Sequence, residues 1–246
     1  MPSGSVTTSF ARSVDRTWPE RTRSSELSND DAAYAGEMSS GQEADRNALA
    51  LSFDDGPSEW TPAILDLLAE HHARATFFIL GAEIAGRERT LLRALDEGHE
   101  LGLHSWSHRY LPLLSDAEIK DEMLRTQTAI ARATGVVSRI WRPPYFEVDE
   151  RVRRALAASD LVEADCSIAP EDYHWPAKRT AAFVIERLRP GAIVDLHDGR
   201  PASSRSAEER TATVEALGLI LREMKRRNLI SVPISQFPTL EIDSAT

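Results

Sequence analysis

Residues 48–57 read ALALSFDDGP: an apolar run from Ala48 to Phe53, adjoining carboxylates at Asp54 and Asp55, then Gly56 and Pro57. A short apolar run closed by turn residues reads as a strand buried on both faces, the habit of parallel sheets. Two neighbouring carboxylates at such a strand end repel each other unless a cation lies between them or shares their charge.

The same texture repeats outward from this stretch. Thr61 is placed to cap a helix with Pro62 at its first position, followed by the apolar set Ile64, Leu65, Leu67 and Leu68. ATFFIL (75–80) reads as a strand, RTLLRALDE (89–97) as a helix stopped by Gly98, and HELGLH (99–104) as a strand. Ser115 and Glu118 have capping-box spacing for a long helix ending near Gly135. Strands at RIW (139–141), LVEADC (161–166), AIVDLH (192–197) and LISVP (229–233) alternate with helices at 150–159, 181–188 and about 208–227. This alternation predicts an α/β fold, a parallel sheet covered by helices, and its length fits a distorted seven-stranded (β/α) barrel better than an open sheet. Residues 1–46, polar and without period, read as a flexible or loosely docked arm, and 47–240 as the barrel.

The 246-residue chain is 41% apolar and 28% charged, a soluble globular balance, and its net charge of -10 disfavours nucleic acid and anionic membranes as partners. It carries one cysteine, Cys166, which excludes an internal disulfide framework and reads as a buried strand residue. The first residues lack the apolar stretch of a secretion signal, so a cytoplasmic location is expected, or a secreted one if a leader was removed. The sequence sets no oligomeric state.

In barrels of this kind the working groups collect where strands end. Those ends carry Asp54 and Asp55; His104 and His108 in HSWSH; Arg142 and Tyr145 in WRPPY; Asp165 and Asp172 in ADCSIAPEDYHWP; and Asp195, His197 and Asp198 in VDLHDG. His104 and His108 are four apart, so one helical turn would place both imidazoles on one side to grip an ion. With an aspartate they make a two-histidine, one-carboxylate site; zinc is the first expectation, with cobalt, nickel or iron(II) as alternatives. A carboxylate bound to metal gives up its basicity, whereas an unbound neighbour can take a proton from the attacking water. His197 is suited to protonate a leaving group, and Arg142 to hold the base by paired hydrogen bonds.

LSFDDGP, HSWSH, RPPY, the Asp-Tyr of PEDYHWP, and LHD stand in the order and spacing of the polysaccharide deacetylase family (NodB homology, carbohydrate esterase family 4), which the chain resembles over about residues 48–235. The resemblance implies Asp54 as general base, Asp55, His104 and His108 as metal ligands, and Arg142 as tether of Asp54. It further implies the Tyr145 N–H as oxyanion donor, His197 as general acid, and Asp172 as its tuning partner. The sequence departs from the family's pattern at Tyr173, where Trp is usual, at Phe146 instead of Gly, and at Asp195 instead of Leu. An inward Asp195 suggests a polar acyl group, a cationic substrate or a new partner for His197, unless a shifted loop leaves it solvated. Tyr173, Asp195, Phe146 and Trp175 are therefore candidate substrate contacts. The expected reaction is metal-dependent hydrolysis of an amide-type C–N bond on an amino sugar or small metabolite. The alternatives are an ordinary peptidoglycan or chitin-oligomer deacetylase and, in another class, a catalytically silent carbohydrate-binding barrel. His71, His72 and His99 are assigned no role in the site, and Trp106 is expected to pack beneath it.

Overall fold

The computed structural model describes residues 47–201 and 210–236; the expected arm (1–46), the first two residues of the last expected helix and the end of the expected domain lie outside them. Seven strands alternate with six α-helices within these residues: β1 (Ala48–Gly56), α1 (Thr61–Glu70), β2 (Ala75–Ile79), α2 (Glu88–Asp96), β3 (Glu100–Leu103), α3 (Asp116–Thr134), β4 (Ile140–Trp141), α4 (Glu150–Leu156), β5 (Val162–Glu163), α5 (Ala177–Arg187), β6 (Ile193–His197), α6 (Thr211–Arg226) and β7 (Ile230–Ser231). All pairings are parallel, in the order β5-β4-β3-β2-β1-β6, with β7 beside the start of β1. Beyond β5, a single bridge from Ile168 to Val194 brings the chain back against β6 and closes the distorted barrel. None of these helices is long and apolar enough to cross a membrane.

The alternation of side chains along β1 sets the architecture. Leu49, Leu51 and Phe53 join the large core beneath the helices, whereas Ala50 belongs to a small inner cluster with Phe78, Ile140, Ala164 and Ile234. Ser52 and Asp54 share the face of Ala50 and so point into the barrel. On β6 the same rule turns Val194 and Leu196 outward and Asp195 and His197 inward. Register completes the layer: Ser52 lies opposite Asp195, and Asp54 opposite His197. Sequence thus fixes which polar groups meet before any loop is considered.

Local differences from expectation have identifiable causes. The Ser115–Glu118 capping box and the left-handed Gly135 bound α3 as expected. Thr61, however, is the first residue of α1, and Trp60 caps it without a side-chain bond. The Thr61 hydroxyl instead accepts from the Ser58 N–H at 2.8 Å and donates to Asp198 Oδ2 at 2.5 Å, tying α1 to the end of β6. The strand expected at 161–166 is cut to Val162–Glu163, and Cys166 lies outside it, half-buried.

Candidate active site

The two aspartates at the end of β1 are presented differently. Register with β2 slips between Asp54 and Gly56, and Asp55 adopts φ 74°. Such a bulge re-aims one side chain, so neighbours that would alternate in a regular strand both reach the cleft. A Cβ on Gly56 would strike the Asp198 carboxylate, and one on Gly199 the Asp55 carbonyl, so the close approach of the two strand ends requires glycine at both positions.

His104 donates its Nδ1–H to the Arg142 carbonyl at 2.9 Å, which leaves the Nε2 lone pair free. His104 Nε2 lies 3.6 Å and His108 Nε2 3.4 Å from Asp55 Oδ1, and one ligand atom from each residue lies within 4.8 Å of the others. Asp55 Oδ1 is buried and accepts no hydrogen bond from the described residues. Burial, then the neighbouring His104, lower the His108 pKa to about 4, so its ring is neutral at pH 7. An orphaned carboxylate oxygen flanked by two imidazole nitrogens is a donor set that fits a divalent metal ion. Residues 104–108 are not a helical turn, contrary to expectation: Ser105 (φ 69°) and His108 (φ 58°) bend the loop, leaving the imidazole centroids 5.0 Å apart.

Arg142 is wholly buried beneath this cluster, with its guanidinium 4.2 Å from the Phe78 ring centre. Its Nη1 donates to Ser52 Oγ (2.8 Å), Asp54 Oδ1 (2.9 Å) and Asp195 Oδ1 (2.7 Å), and Nη2 to the Asp165 carbonyl (3.3 Å). The expected paired geometry is therefore replaced by one nitrogen shared between two carboxylates. Burial alone would raise the Asp54 pKa, but Arg142, His104 and His197 outweigh it and hold Asp54 below the ordinary range. Asp195 goes the other way: burial and the charge of Asp54 push it well up. Asp195 does face inward, but it is buried on Arg142, neither solvated on a shifted loop nor bonded to His197 Nδ1. Asp54, Asp195 and His197 also cluster closely enough to hold an ion, yet Arg142 already supplies both carboxylates with a cation.

His197 meets Asp172 twice: its backbone N–H donates to Oδ2 at 2.9 Å and its Nδ1 to Oδ1 at 2.8 Å. The Thr213 hydroxyl steadies the same carboxylate at 2.7 Å. Burial disfavours the imidazolium, but the charge and hydrogen bond of Asp172, with the acids Asp195 and Asp55, together outweigh it and raise the His197 pKa to about 10. A raised pKa in the fold makes this pair's stabilisation full below about pH 6.5 and lost as pH rises through about 10. In metal-free protein the melting temperature should therefore fall between pH 7 and pH 10, and scanning calorimetry of His197→Gln should give a shallower fall.

At the rim, Tyr145 (φ 62°) sets its ring edge-on to His108 at 4.6 Å, and the ring of Phe146 (φ 54°) lies 5.4 Å from the Arg142 guanidinium. Tyr173 faces His197 at 5.1 Å. Trp175, expected in the cleft, packs instead on Phe183 and Arg179 of α5. His99 is buried, and its Nδ1 accepts the Ala75 N–H. Ser52, Thr213 and Glu122 add to the residues expected from sequence; for Glu122 the sequence signal is an acid among the buried α3 positions Ile119, Met123, Thr126 and Ile130.

Comparison with known proteins gives this geometry its context. The sequence pattern of the family described as polysaccharide deacetylase matches residues 41–163. The chain belongs to the polysaccharide deacetylase family. The chain is similar to a chitooligosaccharide deacetylase of Bradyrhizobium, 35% identical over 77% of this chain and 90% of that protein. The peptidoglycan-N-acetylglucosamine deacetylase PgdA of Listeria monocytogenes is 34% identical over 69% of this chain, which spans only 36% of PgdA. A family 4 acetyl xylan esterase from Clostridium thermocellum, solved with a cobalt ion, superposes with a TM-score of 0.69 at 29% identity, covering 77% of this chain and 89% of that one. The chain is thus a (β/α)-barrel hydrolase of this family.

Proposed function

We propose that the protein is a metal-dependent N-deacetylase of oligosaccharides containing N-acetylglucosamine. The observation that carries this reading is the likeness to a chitooligosaccharide deacetylase over 90% of that protein's length. It favours a glycan over the small cytoplasmic metabolite expected from sequence. The pairing of Asp195 with Arg142 also removes the reason to expect a polar acyl group.

Asp55, His104 and His108 would hold the ion, zinc in the first instance and cobalt, nickel or iron(II) as alternatives, and its chemistry is to polarise the acyl carbonyl and acidify water. Asp54, kept ionised by Arg142, accepts a proton from the attacking water. Water oxygen bonds to the acyl carbon, and the oxyanion receives the Tyr145 N–H. His197, protonated through Asp172, donates to the amide nitrogen as the C–N bond breaks, giving acetate and a free amine. Tyr173 and Phe146 stand at the rim as substrate contacts. The presence of both base and acid argues against a silent binding barrel.

The test is acetate release, followed by mass spectrometry, from metal-loaded protein given chitooligosaccharides of increasing length and free N-acetylglucosamine. The expected result is release that quickens with chain length. Hydrolysis confined to the monosaccharide would favour the small-molecule reading, and release from none would overturn the proposal.

A further inference from the structure

The loop that carries both histidines is held in an unfavourable shape. Ser105 and His108 sit in the left-handed region without being glycine, a conformation that persists only where surrounding contacts enforce it. The contacts come from two sides. Gly81 and Ala82 donate their N–H groups to the carbonyls of Ser105 (3.1 Å) and Trp106 (3.0 Å). Gly81 is open to this approach because a Cβ there would collide with the Trp106 ring.

From the other side comes one side chain. Glu122, 5% exposed on α3, accepts through Oε2 from the backbone N–H groups of Trp106 (2.8 Å) and Ser107 (2.9 Å), and through Oε1 from the Ser107 hydroxyl (2.8 Å). The same helix lays Arg125 over the Trp106 ring at 3.8 Å. All three donors to Glu122 belong to the residues between the two imidazoles. The Ser105 hydroxyl oxygen accepts from the His108 N–H at 3.0 Å within the loop, and bonds to a carboxylate are about twice as strong as neutral ones, so Glu122 is a strong external brace of that segment. Were it lost, the two amides would lack their acceptor and the left-handed bends would relax, separating His104 from His108.

We propose that Glu122 is a positioning residue that sets the metal affinity of the Asp55–His104–His108 centre by fixing the backbone between its two histidines. The proposal rests on the reading of those three residues as ligands, and it needs no assumption about the substrate. It distinguishes Glu122 from an ordinary buried acid, whose loss would weaken folding without changing how tightly a folded molecule holds an ion.

The test is a zinc titration of metal-free protein in competition with a chromophoric chelator, on Glu122→Ala, Glu122→Gln and Ser107→Ala, with melting temperatures measured in parallel. Glu122→Ala should lose about 10- to 100-fold in zinc affinity, the range for partners that orient metal ligands. Glu122→Gln, whose amide oxygen can still accept from both backbone groups, should recover most of that loss, and Ser107→Ala should lose the least. Faster hydrogen exchange at the Trp106 and Ser107 amides should accompany the weaker binding. Wild-type affinity in folded Glu122→Ala, or equal losses in the Ala and Gln variants, would overturn the proposal. If Glu122→Ala does not fold, Glu122→Asp, whose shorter side chain draws the carboxylate away from both amides, takes its place, and wild-type zinc affinity in folded Glu122→Asp would do the same. Because binding is read without substrate, inactivity on chitooligosaccharides leaves the result intact. Wild-type protein that binds no zinc would instead sink the ligand assignment beneath it.

Discussion

Asp54→Ala should lower kcat on a chitooligosaccharide by about 10²- to 10⁴-fold, the range for losing a general base, while zinc affinity stays within a few-fold of wild type. The two adjacent acids are separated by geometry. Both acids reach His104 Nε2 at 3.6 Å, but Asp55 Oδ1 accepts no hydrogen bond from the described residues and alone also faces His108, whereas Asp54 is engaged through Oδ1 by Arg142 at 2.9 Å. Asp55→Ala should give the reverse pattern, losing zinc and activity together. A kcat loss with KM little changed would mark Asp54 as acting in the transition state. If Asp54→Ala lost metal as readily as Asp55→Ala, both acids would be ligands and the assignment of the base would fail.

The largest effect on stability is expected at Arg142. Replacing it with Met keeps much of the volume over Phe78 but strips the cation from the buried Asp54 carboxylate and a hydrogen-bond donor from the buried Asp195 carboxyl group. Breaking a buried ion pair from one side costs about 3–5 kcal/mol, because the remaining charge is left without compensation. Urea unfolding of metal-free Arg142→Met should show a loss of that order. Adding Asp195→Leu to Arg142→Met should return part of it, since one unpaired acid is then gone. A single variant within about 1 kcal/mol of wild type would mean that water or rearranged neighbours already solvate these groups, which the buried geometry does not provide for. Asp195→Leu alone should be far milder, because Arg142 and Asp54 remain paired.

The parts of this molecule that were legible in its sequence are those that periodicity and strand-end position report. The alternation along Ala48–Asp54 separates core-facing from inward-facing residues, and the same alternation in 193–197 brings Asp195 and His197 into one layer with Ser52 and Asp54. What periodicity cannot report is the partner. Asp195 was correctly turned inward, yet its bond to Arg142 depends on an arginine contributed from beyond β4, some fifty residues away in sequence. Strands β4 and β5 have two residues each, too few to display a period, so their ends were misjudged. The i,i+4 spacing of His104 and His108 suits a helical turn, which the 104–108 loop is not. The left-handed angles at Ser105 and His108 leave no mark in composition when the residues are not glycine. An acid on a helix reads as solvated unless its burial is known, which hides Glu122, and an aromatic residue near a motif has several faces to choose from, of which Trp175 takes the one on Phe183.

The most direct measurement is anomalous diffraction at the zinc edge from zinc-soaked crystals. The account predicts one peak about 2 Å from Asp55 Oδ1, His104 Nε2 and His108 Nε2, with the Asp54 carboxylate outside bonding distance and still on Arg142. A peak ligated by Asp54, or none among these three side chains in folded protein, would contradict it.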